Sequence, residues 1–227
     1  LFPYTTLFRS ESAKSKNLNL LDVGSNGIGF GAYNNFSNVK QTNVDIQEFD
    51  KEVIKKNPHI DFITYDGSVF PFGDNSFDIV VCSDPLENIP LEYREKFIEE
   101  HFRVSHNLVV FTFPVKSSAL FEKILYYATF KKSSFLREHI EYGLPDPFSF
   151  EEKSKTSGFT IVRKTENINR FIWIPVKLLS SLELRLLGKK SKRLMFDKFL
   201  NFVKENHWYL NFGRGYSKTF ILKKKAR

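Results

Sequence analysis

The chain has 227 residues, 25 of them Phe, a single Cys and a formal net charge of +8 at pH 7. That length suits one α/β domain with an elaboration, and one thiol excludes an internal disulfide framework, so a reducing cytoplasmic setting is expected. The charge is uneven. Residues 1–167 hold 19 Lys and Arg against 23 Asp and Glu, whereas residues 168–227 hold 15 against 3; such a tail suits an anionic partner (membrane surface, nucleic acid or phosphorylated substrate) or is a solvated basic face.

In chain order, "LFPYTTLFRS" back-translates into a short-read sequencing adapter. Leu1–Ser10 is therefore expected to be a scar outside the fold, with native sequence starting near Glu11; the alternative is a native apolar segment. It has neither the basic flank of a signal peptide nor the run of a membrane span. From Asn17, "LNLLDVG", "TNVDI", "IDFITYD", "SFDIVVCSD" and "HNLVVFTFP" read as five strands, with Cys82 a small buried residue in the fourth. "EFDKEVIKKN" and "PLEYREKFIEEHFRVS" have helical spacing, the second opened by Pro90. Strands alternating with helices imply a doubly wound, mostly parallel sheet. Next come a helix around "SSALFEKILYYATF", a loop through "YGLPDP", a helix from "FSFEEKSKTSG" and a strand "FTIVRKT". A helical basic insertion over residues 168–211 precedes the last strand, "YSKTFILKKK", which makes seven. Residues 11–167 and 212–227 thus form the expected domain, and 168–211 an appendage.

In "LLDVGSNGIGF" a strand runs into a glycine-rich turn. Glycines let a backbone approach a ligand closely, and a following helix N-terminus offers free N–H groups. A dinucleotide site expects G-x-G-x-x-G. Here Gly24, Gly27 and Gly29 give G-x-x-G-x-G after Asp22, which resembles the first motif of class I S-adenosylmethionine-dependent methyltransferases. Asp45, 21 residues beyond Gly24, ends the second strand in "NVDIQ" and is placed to accept hydrogen bonds from two ribose hydroxyls, which either cofactor type possesses. "YDGSVFPFGDNSFDIVVCSDPLENIP" resembles the same family: an acid after strand three, a Pro-Phe turn, "D-N-S-F-D" and a strand ending Ser-Asp. The resemblance spans roughly residues 17–113 and the last two strands.

The resemblance implies a Rossmann-like methyltransferase fold and S-adenosyl-L-methionine as cofactor. It implies cofactor contacts at Asp22, Gly24, Ser25, Asn26, Gly27, Gly29, Asp45 and Ile46. Asp66 would face the adenine amino group, Gly67 would offer its backbone, and Ser83 and Asp84 would lie near the transferred methyl. The chain departs from the family at Pro85 and Asn88, where members often carry a β-branched residue and a His, and Pro85 is expected to hold Asp84 extended. Structural alternatives stay open: Asp22 capping the glycine turn, Asp45 capping a helix near Glu48, Asp74 and Asn75 as turn residues, Tyr126 and Tyr127 as packing groups. His59, His101, His106 and His207 lack metal-ligand spacing, so no metal is expected.

"FLREHIEYGLPDP" follows the fifth strand, where relatives build acceptor surface, and its pattern resembles methyltransferases of bacterial cell-surface glycan pathways. A neutral His139 there suits a general base, with Asp84 a second catalytic candidate; the alternative for His139 is a helix-surface or capping group. The expected function is methyl transfer, at oxygen, to a small molecule or cell-surface glycan precursor. Alternatives are a nicotinamide-dependent oxidoreductase, disfavoured by the glycine spacing, and a degenerate family member binding nucleic acid or membrane. Nothing resembles an RNA-recognition motif. In the insertion, Leu178, Leu179, Leu182 and Leu186 share one helical side and Met195, Phe196, Phe199, Leu200 and Val203 another. Those faces suit a lid over the acceptor site, or an anionic membrane surface reached from the cytoplasm.

Overall fold

The computed structural model describes residues 17–25, 27, 29, 38–128, 133–169, 178 and 215–225. Leu1–Ser10 and nearly all of 168–211 lie outside the described residues, as does the turn after Gly29.

The apolar runs become strands buried on both faces, as parallel strands between helices must be. They are β1 (Leu18–Val23), β2 (Val39–Asp45), β3 (Ile60–Thr64), β4 (Phe77–Ser83) and β5 (Ser105–Pro114). β6 (Phe159–Asn169) and β7 (Gly215–Lys224) complete one seven-stranded sheet of order β3-β2-β1-β4-β5-β7-β6. The five strands from β3 to β5 are parallel, and β7 is antiparallel to both neighbours. The order reverses between β1 and β4, and in such sheets ligands bind beyond the carboxyl ends of the strands at that reversal.

Alternate residues feed two clusters. Leu21, Val80, Cys82, Val109, Phe111 and Leu222 pack on one face; Leu20, Ile79, Val81, Val110 and Ile221 pack on the other. The Phe surplus fills the first face. Phe102 stacks on Phe159 at 4.5 Å and Phe113 on Phe220 at 5.4 Å, with Phe150 wedged 5.0 Å from both Phe111 and Phe220. Each such ring pair contributes ~0.5–1.5 kcal/mol beyond the area it buries.

Five α-helices are described: α1 (Lys51–Lys56), α2 (Leu91–Val104), α3 (Ala119–Ala128), α4 (Ser134–Tyr142) and α5 (Pro147–Thr156). α1 is shorter than its pattern predicts because Asp50, accepting from Glu52 N–H at 2.7 Å, starts it late. Asp45 therefore caps no helix. Pro90 is the N-cap of α2 rather than its first helical residue. α4 is an addition to the sequence reading; Ser133 caps it and Gly143 ends it. β6 runs to Asn169, four residues beyond the apolar stretch that predicts it, because its outer half pairs along β7 to Gly215. The Asp74–Asn75 turn forms as expected: Asn75 has φ +56°, and Arg103 on α2 donates to Asp74 Oδ1 at 2.9 Å and to the Phe70 and Phe72 carbonyls. Tyr127 departs from its packing reading, since it is exposed and touches Tyr126.

Candidate active site

A cleft of about 990 Å³ lies beyond the carboxyl ends of β3, β2, β1 and β4. Gly24, Asp45, Ile46, Asp66, Gly67 and Asp84 line it, so six of the residues singled out in the sequence meet there. Asn26 lies outside the described residues.

Gly24, just past β1, has φ +71°, and a Cβ there would sit 2.7 Å from Pro85 Cγ. The turn after β4 thus presses on the glycine turn, and only a residue without a side chain fits between them. Gly29 (φ +45°) is equally constrained: its Cβ would lie 2.1 Å from Asp22 Oδ2. Asp22, 3% exposed, therefore sits beneath the turn and outside the cleft lining, which fits its capping alternative. Ser25 Oγ donates to Gly27 O at 3.3 Å. Both accept from Asn43, a fully buried residue of β2 whose Nδ2 reaches Gly27 O at 2.6 Å and Ser25 Oγ at 3.1 Å. Gln41 Nε2 in turn donates to Asn43 Oδ1. The sequence carried a signal for this clamp, since "QTN" sets two amides into a strand that buries nearly everything else.

Asp45 closes β2 with one oxygen accepting from Gln47 N–H at 3.0 Å. Asp66 follows β3 and is exposed; its Oδ1 accepts from the Ser68 hydroxyl and amide, which hold its carboxyl below the usual range. Ser83 ends β4 outside the lining. Asp84 is not extended, contrary to the expectation from Pro85. It has φ +65°, because its N–H is tied to Thr112 O at 2.8 Å while Pro85 enters a 3-10 turn over Leu86–Asn88. A left-handed Asp is uncommon and strained, and such residues gather at functional sites.

His139 is not at the surface of the cleft. It is 2% exposed and lies behind Asn88 and Phe135, which do line the cleft. Its Nδ1 lies 2.9 and 3.0 Å from the two Glu122 oxygens and its Nε2 3.1 Å from Asn88 Oδ1. Asn88 Nδ2 donates to the Asp84 carbonyl, which can only accept, so the amide oxygen must be the atom facing His139. Nε2 therefore carries hydrogen. Nδ1 faces the Glu122 carboxylate, so both ring nitrogens are engaged inside the protein and the ring does not line the cleft. The expectation of a general base at His139 is corrected on this ground. Nor is it a surface or capping group.

The same buried region holds Glu87, 1% exposed, its carboxyl raised well above the usual range by burial and then by Asp84. It lies 4.0 Å from His139 Nε2, beyond hydrogen-bond reach. Burial, then Glu122, raises the Tyr216 hydroxyl, which donates to Glu122. Arg94 on α2 donates to the carbonyls of Glu87, Ile89, Tyr142 and Gly143, locking the 3-10 turn to the end of α4. Glu122, Arg94 and Tyr216 do not stand out in the sequence, because each has a partner 17 to 94 residues away.

Residues 21–111, from β1 into β5, match the family model described as a methyltransferase domain. A methyltransferase domain is thus matched over that part of the chain. The chain matches no curated protein by sequence. Among solved structures it is similar to a candidate sarcosine dimethylglycine methyltransferase from Galdieria sulphuraria, with TM-score 0.65 and 16% identity over 97% of this chain and 84% of that one. It is also similar to magnesium protoporphyrin IX methyltransferase from Synechocystis PCC 6803, with S-adenosylhomocysteine bound, at TM-score 0.58 and 15% identity over 96% and 80% of the two chains. The cyclase SpnF shares the fold at TM-score 0.56 and 15% identity over 98% and 80%, so architecture alone does not name a reaction.

Proposed function

We propose that this methyltransferase binds its cofactor along the ends of β3, β2, β1 and β4 and methylates a small protic acceptor that enters between Asp84, Asn88 and α4. One observation carries the reading: Asp66, Asp45, Gly24 and Asp84, at the ends of four adjacent strands, line a single cleft. The residues suit the cofactor. Gly24 leaves backbone open to the cleft, Asp45 sets a carboxylate at its rim for ribose hydroxyls, and Asp66 keeps Oδ2 without a protein partner among the described residues. When bound, S-adenosylmethionine supplies a methyl group already activated on a sulfonium. What remains for the chain is to align the acceptor and hold its departing proton. Asp84 is the lining carboxylate next to Asn88 and takes the proton in this reading, and Asn88 and Tyr142 belong to the wall that aligns the acceptor.

Oxygen as the methylated atom follows from a hydroxyl-bearing small-molecule or glycan acceptor. A glycan precursor as acceptor is supported by the "EH…GLP" pattern alone. Calorimetry tests the reading: S-adenosylhomocysteine should bind and NADH should not, and the reverse would return the cleft to an oxidoreductase.

We also propose that the basic insertion 168–211 attaches to anionic membrane surface. Its 9 basic residues against 3 acids support this. No described helix is long and apolar enough to cross a membrane. Sedimentation with anionic but not neutral vesicles, lost at high salt, is the expected result. No sedimentation with either would leave the insertion as a lid.

A further inference from the structure

We infer that Asn88 is the side chain that meets the nucleophilic group of the acceptor, and that His139, Glu122 and Tyr216 are positioning residues that hold its amide in one orientation. The inference rests on the methyltransferase reading above.

Four separate elements contribute to this chain of hydrogen bonds. Tyr216 on β7 donates to Glu122 on α3; Glu122 takes the Nδ1 side of His139 on α4; and His139 Nε2 donates to Asn88 Oδ1 in the turn after β4. His139 and Glu122 are each 2% exposed. Burying an imidazole with a carboxylate is costly, and well-packed apolar side chains of similar size would stabilise a core as well or better. The arrangement therefore makes sense through what it does at its open end. That end is Asn88, the one member of the chain that lines the cleft.

A primary amide offers two N–H donors and two lone pairs. Asn88 uses one N–H on the Asp84 carbonyl at 3.1 Å and one lone pair on His139 at 3.1 Å. One donor and one acceptor remain, in a fixed order, beside the Asp84 carboxylate. Without His139, only the Asp84 carbonyl would oppose rotation of the amide. A fixed donor–acceptor pair next to a carboxylate matches a group that both donates and accepts, such as a hydroxyl or an amine, and gives no advantage to a thioether or a carbon nucleophile.

Sinefungin tests this without knowledge of the acceptor, because it replaces the methyl-bearing sulfonium of the cofactor by a carbon bearing an amine. Its extra affinity over S-adenosylhomocysteine reports the wall that this amine meets. We expect wild-type protein to bind sinefungin at least about tenfold more tightly, as suits hydrogen bonds to a charged group. In His139→Ala and in Asn88→Leu that ratio should fall to about one, with S-adenosylhomocysteine affinity kept within about twofold; His139→Gln, which retains a donor toward Asn88, should recover part of it. A ratio unchanged in folded His139→Ala and Asn88→Leu overturns the inference, as does an equal loss of both affinities, which is what a merely structural His139 would give. Should His139→Ala fail to fold, Asn88→Leu and the nitrogen NMR spectrum of wild-type His139 decide: a hydrogen on Nε2 supports the chain, and an Nε2 that carries none overturns it. Absence of S-adenosylhomocysteine binding by wild type would instead overturn the cofactor reading itself.

Discussion

Asn43 reaches from β2 to Gly27 O at 2.6 Å, so the glycine turn is held by the neighbouring strand as well as by its own. Removing the amide takes one donor from both the Gly27 carbonyl and the Ser25 hydroxyl, and one acceptor from Gln41 Nε2. Asn43→Leu should therefore lower stability by about 1–3 kcal/mol, the usual cost of unmet buried polar groups. Urea denaturation measures the first effect. Calorimetry should show a parallel loss of S-adenosylhomocysteine affinity; undiminished affinity would mean the turn holds its shape unaided.

Asp45→Ala separates cofactor binding from folding. The side chain ends a strand, where it accepts from Gln47 N–H. The melting temperature should shift little, while S-adenosylhomocysteine affinity falls by about 1.5–3 kcal/mol, as for hydrogen bonds to a charged acceptor. Equal affinity in the folded variant removes Asp45 from the ribose site.

Gly24→Ala should be worse than its size suggests. The backbone at φ +71° costs an L-residue about 1–2 kcal/mol, and the new Cβ would lie 2.7 Å from Pro85 Cγ. The double variant Gly24→Ala with Pro85→Gly should regain stability in thermal melts, since the clash is then relieved and the backbone strain alone remains.

His101 sets an acid limit on stability. It is fully buried among Phe70, Phe97 and Phe111, with Nδ1 2.7 Å from Phe97 O and Nε2 unpartnered. Burial lowers its pKa to about 4 from 6.5. The unfolded chain therefore takes up a proton that the folded chain refuses. Stability falls as pH drops from about 6.5 towards 4, by about 3 kcal/mol at one pKa unit per 1.36 kcal/mol. His101→Leu should lose less stability than wild type across that window in urea midpoints; parallel curves would place the acid sensitivity elsewhere.

The sheet was legible because its strands are consecutive runs whose burial follows from their own composition. "SFDIVVCSD" and "HNLVVFTFP" needed no partner to declare themselves. The cleft was legible to the same extent, since Gly24, Asp45 and Asp66 sit where strands end, and strand ends can be read. What could not be read was any side chain whose role depends on a distant residue. His139 looks like a catalytic base in "REHIEY", yet Glu122 and Asn88, 17 and 51 residues away, occupy both its nitrogens. Asp84 fails differently: Pro85 biases it towards extended backbone, and the bond to Thr112 O overrides that bias.

Asn169 and Gly215 stand opposite one another on the last rung of the β6–β7 ladder. The two ends of residues 170–214 therefore meet at one rung of the sheet. Residues 170–214 can thus be lengthened, shortened or exchanged without moving a strand, since doubling a loop adds only about 0.6 kcal/mol of closure entropy. That rung lies next to Tyr216, which touches the buried wall behind the cleft. The strand ends that line the cleft belong to β1 to β4, on the far side of β5 from this pair.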